Sequence, residues 1–303
     1  MAAKILDGKR VAEGILKGLR ARTERLKKSG IEPTLAAIVV GRNPATSLYV
    51  KKKIEACEIV GTRALEFQLP SSTTQEELYE QLRALSRDPQ VHGILLQLPL
   101  PANLSAEKAL SGISPVKDVD GLTTYNLGRF YSLKNRQDIE SAGVLVPCTA
   151  LGILQLIAKT PLRLPGCRAA VIGRSSIVGM PVAHLLTCHN ATVTLCHSKT
   201  KDLDQICRQS DLIVSAIGKP RFLKAGMIRR GAVVIDVGIN YGKGGKLCGD
   251  VDFKEAAKKA GYLTPVPGGV GPMTVAMVLS NTILAAERQI AKNPKTAVAA
   301  PVQ

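Results

Sequence analysis

"RAAVIGRSSIVGMPVAHLLTCHNATVTLCHSKT", residues 168–200, decides the fold class. A short apolar strand runs into a glycine turn, then an apolar helical stretch, then a second strand. That order predicts a β-α-β unit and a parallel sheet. Gly173 and Gly179 bracket the turn with five residues between them, so the spacing departs from G-x-G-x-x-G. The physics of the motif survives, because Gly173 permits a tight turn and the following helix N-terminus can accept a phosphate. Folds that bind a free ribose hydroxyl place Asp or Glu at the end of the second strand. Here that place holds His197-Ser198-Lys199-Thr200, and Arg174 stands in the glycine turn. A cationic, hydroxyl-rich pocket predicts a 2′-phosphate, hence NADP rather than NAD. A structural β-α-β unit without cofactor is the alternative.

The pattern extends in both directions. Downstream, "DLIVSAIG" (211–218) and "AVVIDVGIN" (232–240) read as further strands that end in Gly or polar residues. Upstream, residues 8–29 read as an amphipathic helix, "TLAAIVVG" (34–41) and "RALEFQLP" (63–70) as strands, and "TTQEELYEQLRALSRD" (73–88) as a helix capped by Thr73 or Thr74. "VHGILLQLPLP" (91–101) is a buried strand that runs into prolines. The expected architecture is α/β, with two α/β domains flanking a cleft. Residues 1–145 plus 275–303 form one domain, and residues 146–274 form a Rossmann-like, dinucleotide-binding domain with a parallel sheet. "SPVKDVDGLTTYNLGRF" (114–130) reads as a loop. Its Asp118 and Asp120, beside Gly121, suit either turn chemistry or a carboxylate that binds a ligand amine. Residues 264–292 open with a Pro/Gly-rich loop whose Gly268, Gly269 and Gly271 allow close backbone approach. Thr274 is expected to cap a long apolar helix there. The tail, 293–303, is expected to be disordered.

Composition narrows the classes. The chain has 303 residues, 45% of them hydrophobic, enough for a large core and too apolar for a disordered protein. No run approaches the roughly 18 uninterrupted apolar residues of a membrane span. The first residues mix Asp7 and Glu13 with bases and lack a secretory apolar core. A cytoplasmic protein is expected; a mitochondrial presequence is disfavoured because acids appear early and the helical pattern begins at once. Seven cysteines, an odd number, suit a reducing compartment. His184, Cys188, His189, Cys196 and His197 cluster in sequence but lack a paired close-spaced ligand set, so no metal is expected. The net charge of +17 favours anionic partners. Aromatics are only 3%, with no Trp, and no nucleic-acid motif is visible, so the excess of bases is weak evidence for nucleic acid and is compatible with an anionic metabolite or with simple solubility.

"SLYVKKKIEACEIVG" (47–61) raises a question of its own. On a helix begun at Asn43-Pro44 and stopped at Gly61, residues Tyr49, Lys53, Ala56, Cys57 and Val60 form one stripe. Lys51 shares a polar face with Glu55 and Glu58, whereas Lys53 has no carboxylate on its stripe. Either its stem snorkels out of the core, or its amine is desolvated and its pKa lowered.

Taken together, Tyr49-x-x-x-Lys53, "LLQLPLP", "PVKDVDGL", "VPCTALG", "VIGRSSIVGMPVAHLL", "CHSKT", "VVIDVGIN" and "TPVPGGVGPMTVAM" resemble the signatures of the bifunctional methylenetetrahydrofolate dehydrogenase/methenyltetrahydrofolate cyclohydrolase family. The similarity runs from about Ile5 to about Ala286. Thr46 stands where serine is common, and Ala150 where proline is frequent. The resemblance implies NADP-dependent oxidation of 5,10-methylenetetrahydrofolate to the methenyl form, then hydrolysis to 10-formyltetrahydrofolate. It implies Lys53, Gln97, Tyr49 and Asp120 as catalytic residues: Lys53 handling protons, Gln97 tuning it, Tyr49 stacking on the folate, Asp120 binding the pteridine amino edge. It further implies folate contacts from Val50, Lys51, Lys52, Leu96, Leu98 and Pro99. A second set comes from Pro267, Gly268, Gly269, Val270, Gly271, Pro272, Met273, Thr274 and Val275. Gly173, Arg174, Ser175, Ile177, Ser198 and Ile239 would hold NADP. The implied partners are one-carbon tetrahydrofolates, whose glutamate tail can be polymerised, and a second copy of the chain in a homodimer; nucleic acid and membrane are not implied. Two other readings compete. One is a dehydrogenase of the same family with weak or no cyclohydrolase, which the presence of Lys53 and Gln97 opposes. The other is a non-catalytic, basic binding protein.

Overall fold

The structure is a computed structural model that describes residues 2–41, 44–242 and 245–292. Side chains 42–49 and 290–292 lie outside the described set, and so does the expected disordered tail. The strands in chain order are β1 (Lys4–Ile5), β2 (Thr34–Val40), β3 (Arg63–Leu69), β4 (Gly93–Leu96), β5 (Arg168–Ile172), β6 (Thr192–Cys196), β7 (Leu212–Ser215), β8 (Val233–Asp236), β9 (Asn240–Tyr241), β10 (Leu247–Cys248) and β11 (Tyr262–Leu263). The α-helices are α1 (Gly8–Lys28), α2 (Pro44–Val60), α3 (Gln75–Arg87), α4 (Ala106–Leu110), α5 (Thr124–Ser132), α6 (Arg136–Ser141), α7 (Cys148–Ile157), α8 (Gly179–Cys188), α9 (Leu203–Arg208), α10 (Phe253–Ala256) and α11 (Val270–Lys292).

Two compact units result. Among the described residues, one comprises residues 2–12, 131–143 and 149–274, the other residues 13–130, 144–148 and 275–292. The sequence division, 1–145 plus 275–303 against 146–274, differs from this mainly in residues 1–12 and 131–143. The reason at the N-terminus is strand pairing: Lys4 and Ile5 lie in register with Tyr262 and Leu263. The contribution of residues 131–143 is packing against α8, where Tyr131 meets the His184 ring edge-on and the Cys188 thiol donates to the Leu133 carbonyl at 3.4 Å.

The larger sheet has the order β1-β11-β8-β7-β5-β6 and is parallel throughout. From β5 the chain crosses through α8 to β6 on one side. It then returns through α9 to β7 on the other. Strand order reverses at β5, and in open parallel sheets ligands bind outside the carboxyl ends at that point. Gly173, at φ +116°, ends β5. A Cβ on Gly173 would lie 2.2 Å from the Ala216 carbonyl oxygen, and a Cβ on Gly179 would lie 1.9 Å from the Gly173 carbonyl oxygen. The spacing of the two glycines therefore lets α8 start against the strand end.

The smaller sheet, β3-β2-β4, is also parallel. Every residue of β2 is buried, as the unbroken apolar run requires of a central strand covered on both faces. α3 packs Leu78, Leu82 and Leu85 on this sheet. It starts in a capping box in which Thr74 and Glu77 satisfy each other's backbone amides. α2 buries Lys53, Ala56, Cys57 and Val60 and exposes Lys51 and Lys52, as its periodicity predicts.

Two expectations need correction. The 114–130 loop contains the start of α5 at Thr124, where Thr123 Oγ1 accepts from the Asn126 amide at 3.3 Å. Thr274 is not a cap: α11 begins at Val270, and Thr274 Oγ1 lies 3.5 Å from the Val270 carbonyl as an ordinary back-bonded helical threonine. By length and composition residues 270–289 of α11 could cross a membrane, but 67% of that stretch is buried in the fold, as in a core helix.

The close approach at Gly179 makes a firm prediction. Gly179→Ala should lower stability by about 1–3 kcal/mol, the usual range for overpacking. Thermal unfolding beside wild type measures it, and an unchanged midpoint would mean that the α8 terminus is not packed on β5.

Candidate active site

In the three-stranded unit β4 ends at Leu96, and the Gln97 amide continues the ladder by donating to the Ile38 carbonyl at 2.9 Å. The Gln97 side chain is thereby held by the sheet. Its Nε2 donates to the Leu98 carbonyl at 2.7 Å, which leaves Oε1 facing α2. Lys53 Nζ donates to that oxygen at 2.8 Å. Lys53 is 6% exposed, so its amine ends inside the unit and the snorkelling alternative fails. Burial pushes the Lys53 amine below its ordinary range, against an upward pull from the Asp120 charge and a smaller one from Cys148.

The loop that carries Asp120 is shaped by Asp118. Asp118 is buried, and its Oδ1 accepts from the Gly121 and Leu122 amides at 3.0 and 3.2 Å. Its Oδ2 accepts from the Thr123 amide at 2.8 Å and from Asn126 Nδ2 at 2.9 Å. All its partners are local donors, so Asp118 does the turn chemistry of the loop, while the Asp120 carboxyl has the Cys148 thiol as a side-chain partner. Gly121, at φ +71°, comes so close to the strap at 145–147 that a Cβ would lie 2.6 Å from the Leu145 carbonyl oxygen. Burial raises the pKa of Asp120, Lys53 lowers it, and Asp118 raises it again. Lys53 and Asp120 are thus both pushed toward their neutral forms by loss of water.

Two further residues belong to this constellation without having been singled out from the sequence. Cys148 is fully buried, donates from its thiol to the Val119 carbonyl at 3.0 Å, and has a pKa well above the ordinary thiol value through burial and the Asp120 charge. Asn281 of α11 donates from Nδ2 to the carbonyls of Val119 and Val146 at 2.9 and 3.1 Å. It ties the aspartate loop and the 144–148 strap to the helix. A lone buried amide in the apolar run "VLSNTILAA" was the available signal.

The remaining expected positions fall as follows. Val50 and Leu96 are buried, Leu98 is half-buried, and Lys51, Lys52 and Pro99 are exposed. Lys51 sits 4.0 Å from Glu55. Tyr49 lies in α2, but its side chain is outside the described residues. In the six-stranded unit, Pro267 is exposed and Gly268 (φ +104°) and Gly269 form a tight loop before α11. A Cβ on Gly269 would lie 2.5 Å from the Pro265 carbonyl oxygen. Gly271, Pro272 and Thr274 are half-buried, while Val270, Met273 and Val275 are buried. Thr274 Oγ1 lies 3.3 Å from Thr149 Oγ1.

The dinucleotide positions gather at the carboxyl ends of the six-stranded sheet. Arg174 and Ser175 are exposed after β5. Ser175 Oγ accepts from the Val178 and Gly179 amides at 3.2 and 3.4 Å, which shapes the start of α8. Ser198 and Lys199 are exposed after β6, on a turn in which the His197 amide donates to Thr200 Oγ1 at 2.8 Å. Ile177 and Ile239 are 43% and 48% exposed. A glycine-lined strand end, a helix N-terminus, exposed cations after β6 and two bare isoleucines fit a phosphorylated dinucleotide.

Comparison with known proteins agrees in both units. Residues 6–120 match the family described as tetrahydrofolate dehydrogenase/cyclohydrolase, catalytic domain, and residues 147–290 match its NAD(P)-binding domain. The chain is 50% identical to a Campylobacter concisus protein called bifunctional protein FolD, over 96% of this chain and 100% of that one. It is 46% identical to the Moorella thermoacetica protein of the same name, over 95% and 100%. Among solved structures, the bifunctional methylenetetrahydrofolate dehydrogenase/cyclohydrolase of Campylobacter jejuni aligns with a TM-score of 0.90 at 45% identity, covering 95% of this chain and 99% of that one. The Trypanosoma brucei dehydrogenase-cyclohydrolase, solved with NADP cofactor and inhibitor, aligns with a TM-score of 0.89 at 38% identity, covering 96% and 99%. With both halves matched and the identity sustained along nearly the whole chain, the protein belongs to the tetrahydrofolate dehydrogenase/cyclohydrolase family.

Proposed function

We propose that the chain oxidises 5,10-methylenetetrahydrofolate to 5,10-methenyltetrahydrofolate with NADP⁺ and then hydrolyses the product to 10-formyltetrahydrofolate. The observation that carries the reading is the buried Lys53 amine, 2.8 Å from Gln97 and shifted toward its uncharged form. NADP⁺ supplies the hydride acceptor for the first step. Arg174 and Ser198 bind the 2′-phosphate, and Gly173, Ser175 and the start of α8 bind the diphosphate through backbone amides. Ile177 and Ile239 pack on the rings.

The second step belongs to Lys53. Methenyltetrahydrofolate carries an amidinium cation, and a second cation beside it would be repelled. A neutral amine can instead take a proton from the attacking water as the new C–O bond forms. The resulting ammonium returns that proton to N5 as the C–N5 bond breaks, and the proton of the new hydroxyl leaves to solvent, so the ring opens with net release of one proton. Gln97 orients Nζ by accepting its hydrogen bond. Asp120 binds the amino edge of the pteridine by a charge-assisted bond, Tyr49 stacks on the ring, and the 267–275 segment contacts the folate through backbone and methyl groups. The basic surface suits a glutamate tail, polymerised or not. A homodimer in the cytoplasm completes the proposal; all seven cysteines are free thiols, which suits a reducing compartment.

Lys53→Met should reduce cyclohydrolase activity ~10²–10⁴-fold, the usual worth of a positioned acid–base group, while NADP binding and folding persist. Decay of methenyltetrahydrofolate absorbance without cofactor measures it, and near wild-type ring opening would reject the role. Arg174→Ala should raise KM for NADP⁺ roughly 10–100-fold, as loss of a charge-assisted hydrogen bond implies, with NAD⁺ little affected. Equal losses with both cofactors would reject the 2′-phosphate assignment.

A further inference from the structure

The six-stranded unit contains a buried carboxylate that neither reaction uses. Asp250 is fully buried. Its Oδ2 accepts from Ser215 Oγ at 3.3 Å and from the amides of Ile217 and Gly218 at 2.8 and 3.3 Å. Its Oδ1 accepts from the Lys219 amide and from Asn240 Nδ2, both at 2.9 Å. Five donors thus converge on one carboxylate from two places: the segment that leaves β7 and the segment that leaves β8. The packing is close enough that a Cβ on Gly238 would lie 2.1 Å from Asp250 Oδ1.

Asp250 is itself held by a second carboxylate. Asp236, the last residue of β8, accepts from the amides of Asp250 and Gly238 at 2.9 and 3.0 Å through Oδ1, and from the Val251 amide at 2.9 Å through Oδ2. A Cβ on Gly249 would lie 1.8 Å from Asp236 Oδ2. Glycine at 238 and 249 is what allows the two carboxylates to sit among backbone amides.

The two segments gathered by Asp250 flank the cofactor positions. Ala216, next to Ile217, is the residue against which Gly173 packs. Ile239, 48% exposed, is next to Asn240. We infer that Asp250 is a positioning residue for the dinucleotide: it fixes the ends of β7 and β8 so that the Gly173 turn and Ile239 present one preformed binding edge. The inference rests on the NADP reading above. Its chemistry is specific to a carboxylate, because every group bonded to the two Asp250 side-chain oxygens is a donor. An asparagine has one oxygen, so its amide nitrogen would confront either Ser215, Ile217 and Gly218 or Lys219 and Asn240, and those donors would lose their acceptor.

The test compares wild type, Asp250→Asn and Asn240→Ala in both assays. Ring opening of methenyltetrahydrofolate needs no cofactor and reports a folded enzyme. Wild-type dehydrogenase activity with NADP⁺ checks the functional reading separately; its absence would remove that reading rather than this one. With it present, Asp250→Asn should raise KM for NADP⁺ about tenfold or more, leaving ring opening and kcat at saturating cofactor within about twofold. Asn240→Ala, which removes one donor of the five, should raise the same KM less. An Asp250→Asn enzyme that opens the ring normally and keeps its KM for NADP⁺ overturns the inference. Should Asp250→Asn fail to fold, an unchanged KM in Asn240→Ala overturns it instead.

Discussion

An ammonium taken out of water loses far more solvation than an amine does, and the site depends on that asymmetry at Lys53. The helical stripe that buries Ala56, Cys57 and Val60 carries Lys53 in with them. Gln97, fixed on the last turn of the β4 ladder, gives the amine an acceptor that does not require it to be charged. A carboxylate at that place would have kept an ion pair and an ammonium. The same burial works on Asp120 in the opposite sense, toward the protonated form. The cost also appears in stability. The folded state holds the amine below its unfolded value of 10.5, so the contribution of this group falls as the pH drops from 10.5 to the lowered value.

Carboxylates buried among backbone amides are the other recurring device. Asp118 shapes the loop that presents Asp120, and Asp236 with Asp250 shapes the strand ends of the parallel sheet. Each accepts several N–H groups that would otherwise be buried without partners. Glycine stands wherever the backbone must come within reach: Gly121 beside the 145–147 strap, Gly238 and Gly249 beside the two aspartates. These loops on a parallel sheet are shaped without a disulfide and without a group of three or more metal-binding side chains among the described residues.

Much of this was legible in the sequence because it was local. Unbroken apolar runs marked β2, β5 and β7, a threonine at 73 or 74 marked the start of α3, and the stripe of Lys53, Ala56, Cys57 and Val60 marked the buried face of α2. What escaped was long-range or disguised. β1 and β11 are two-residue strands that pair across most of the chain, and nothing local to Lys4 announces its partner. α5 opens in "TTYNLG", whose turn-forming residues hid a helix. Thr274 looked like a cap because Gly and Pro precede it, yet Pro272 falls in the first turn of α11, where its missing N–H costs nothing. Nothing in "CGDVDF" singles out Asp250; the structure brings Ser215 and Asn240 to it. For Lys53 periodicity gave the direction of the side chain but could not say where its nitrogen ended; only the 2.8 Å contact to Gln97 decides that.

The most direct measurement is titration of the Lys53 amine itself, by heteronuclear NMR on protein with isotope-labelled lysine, the signal assigned by its loss in Lys53→Met. A midpoint below the ordinary 10.5 is expected, moving lower still in Asp120→Asn because that charge pulls it up. A midpoint at or above 10.5 would mean that the amine stays an ammonium, and would contradict the role given to it.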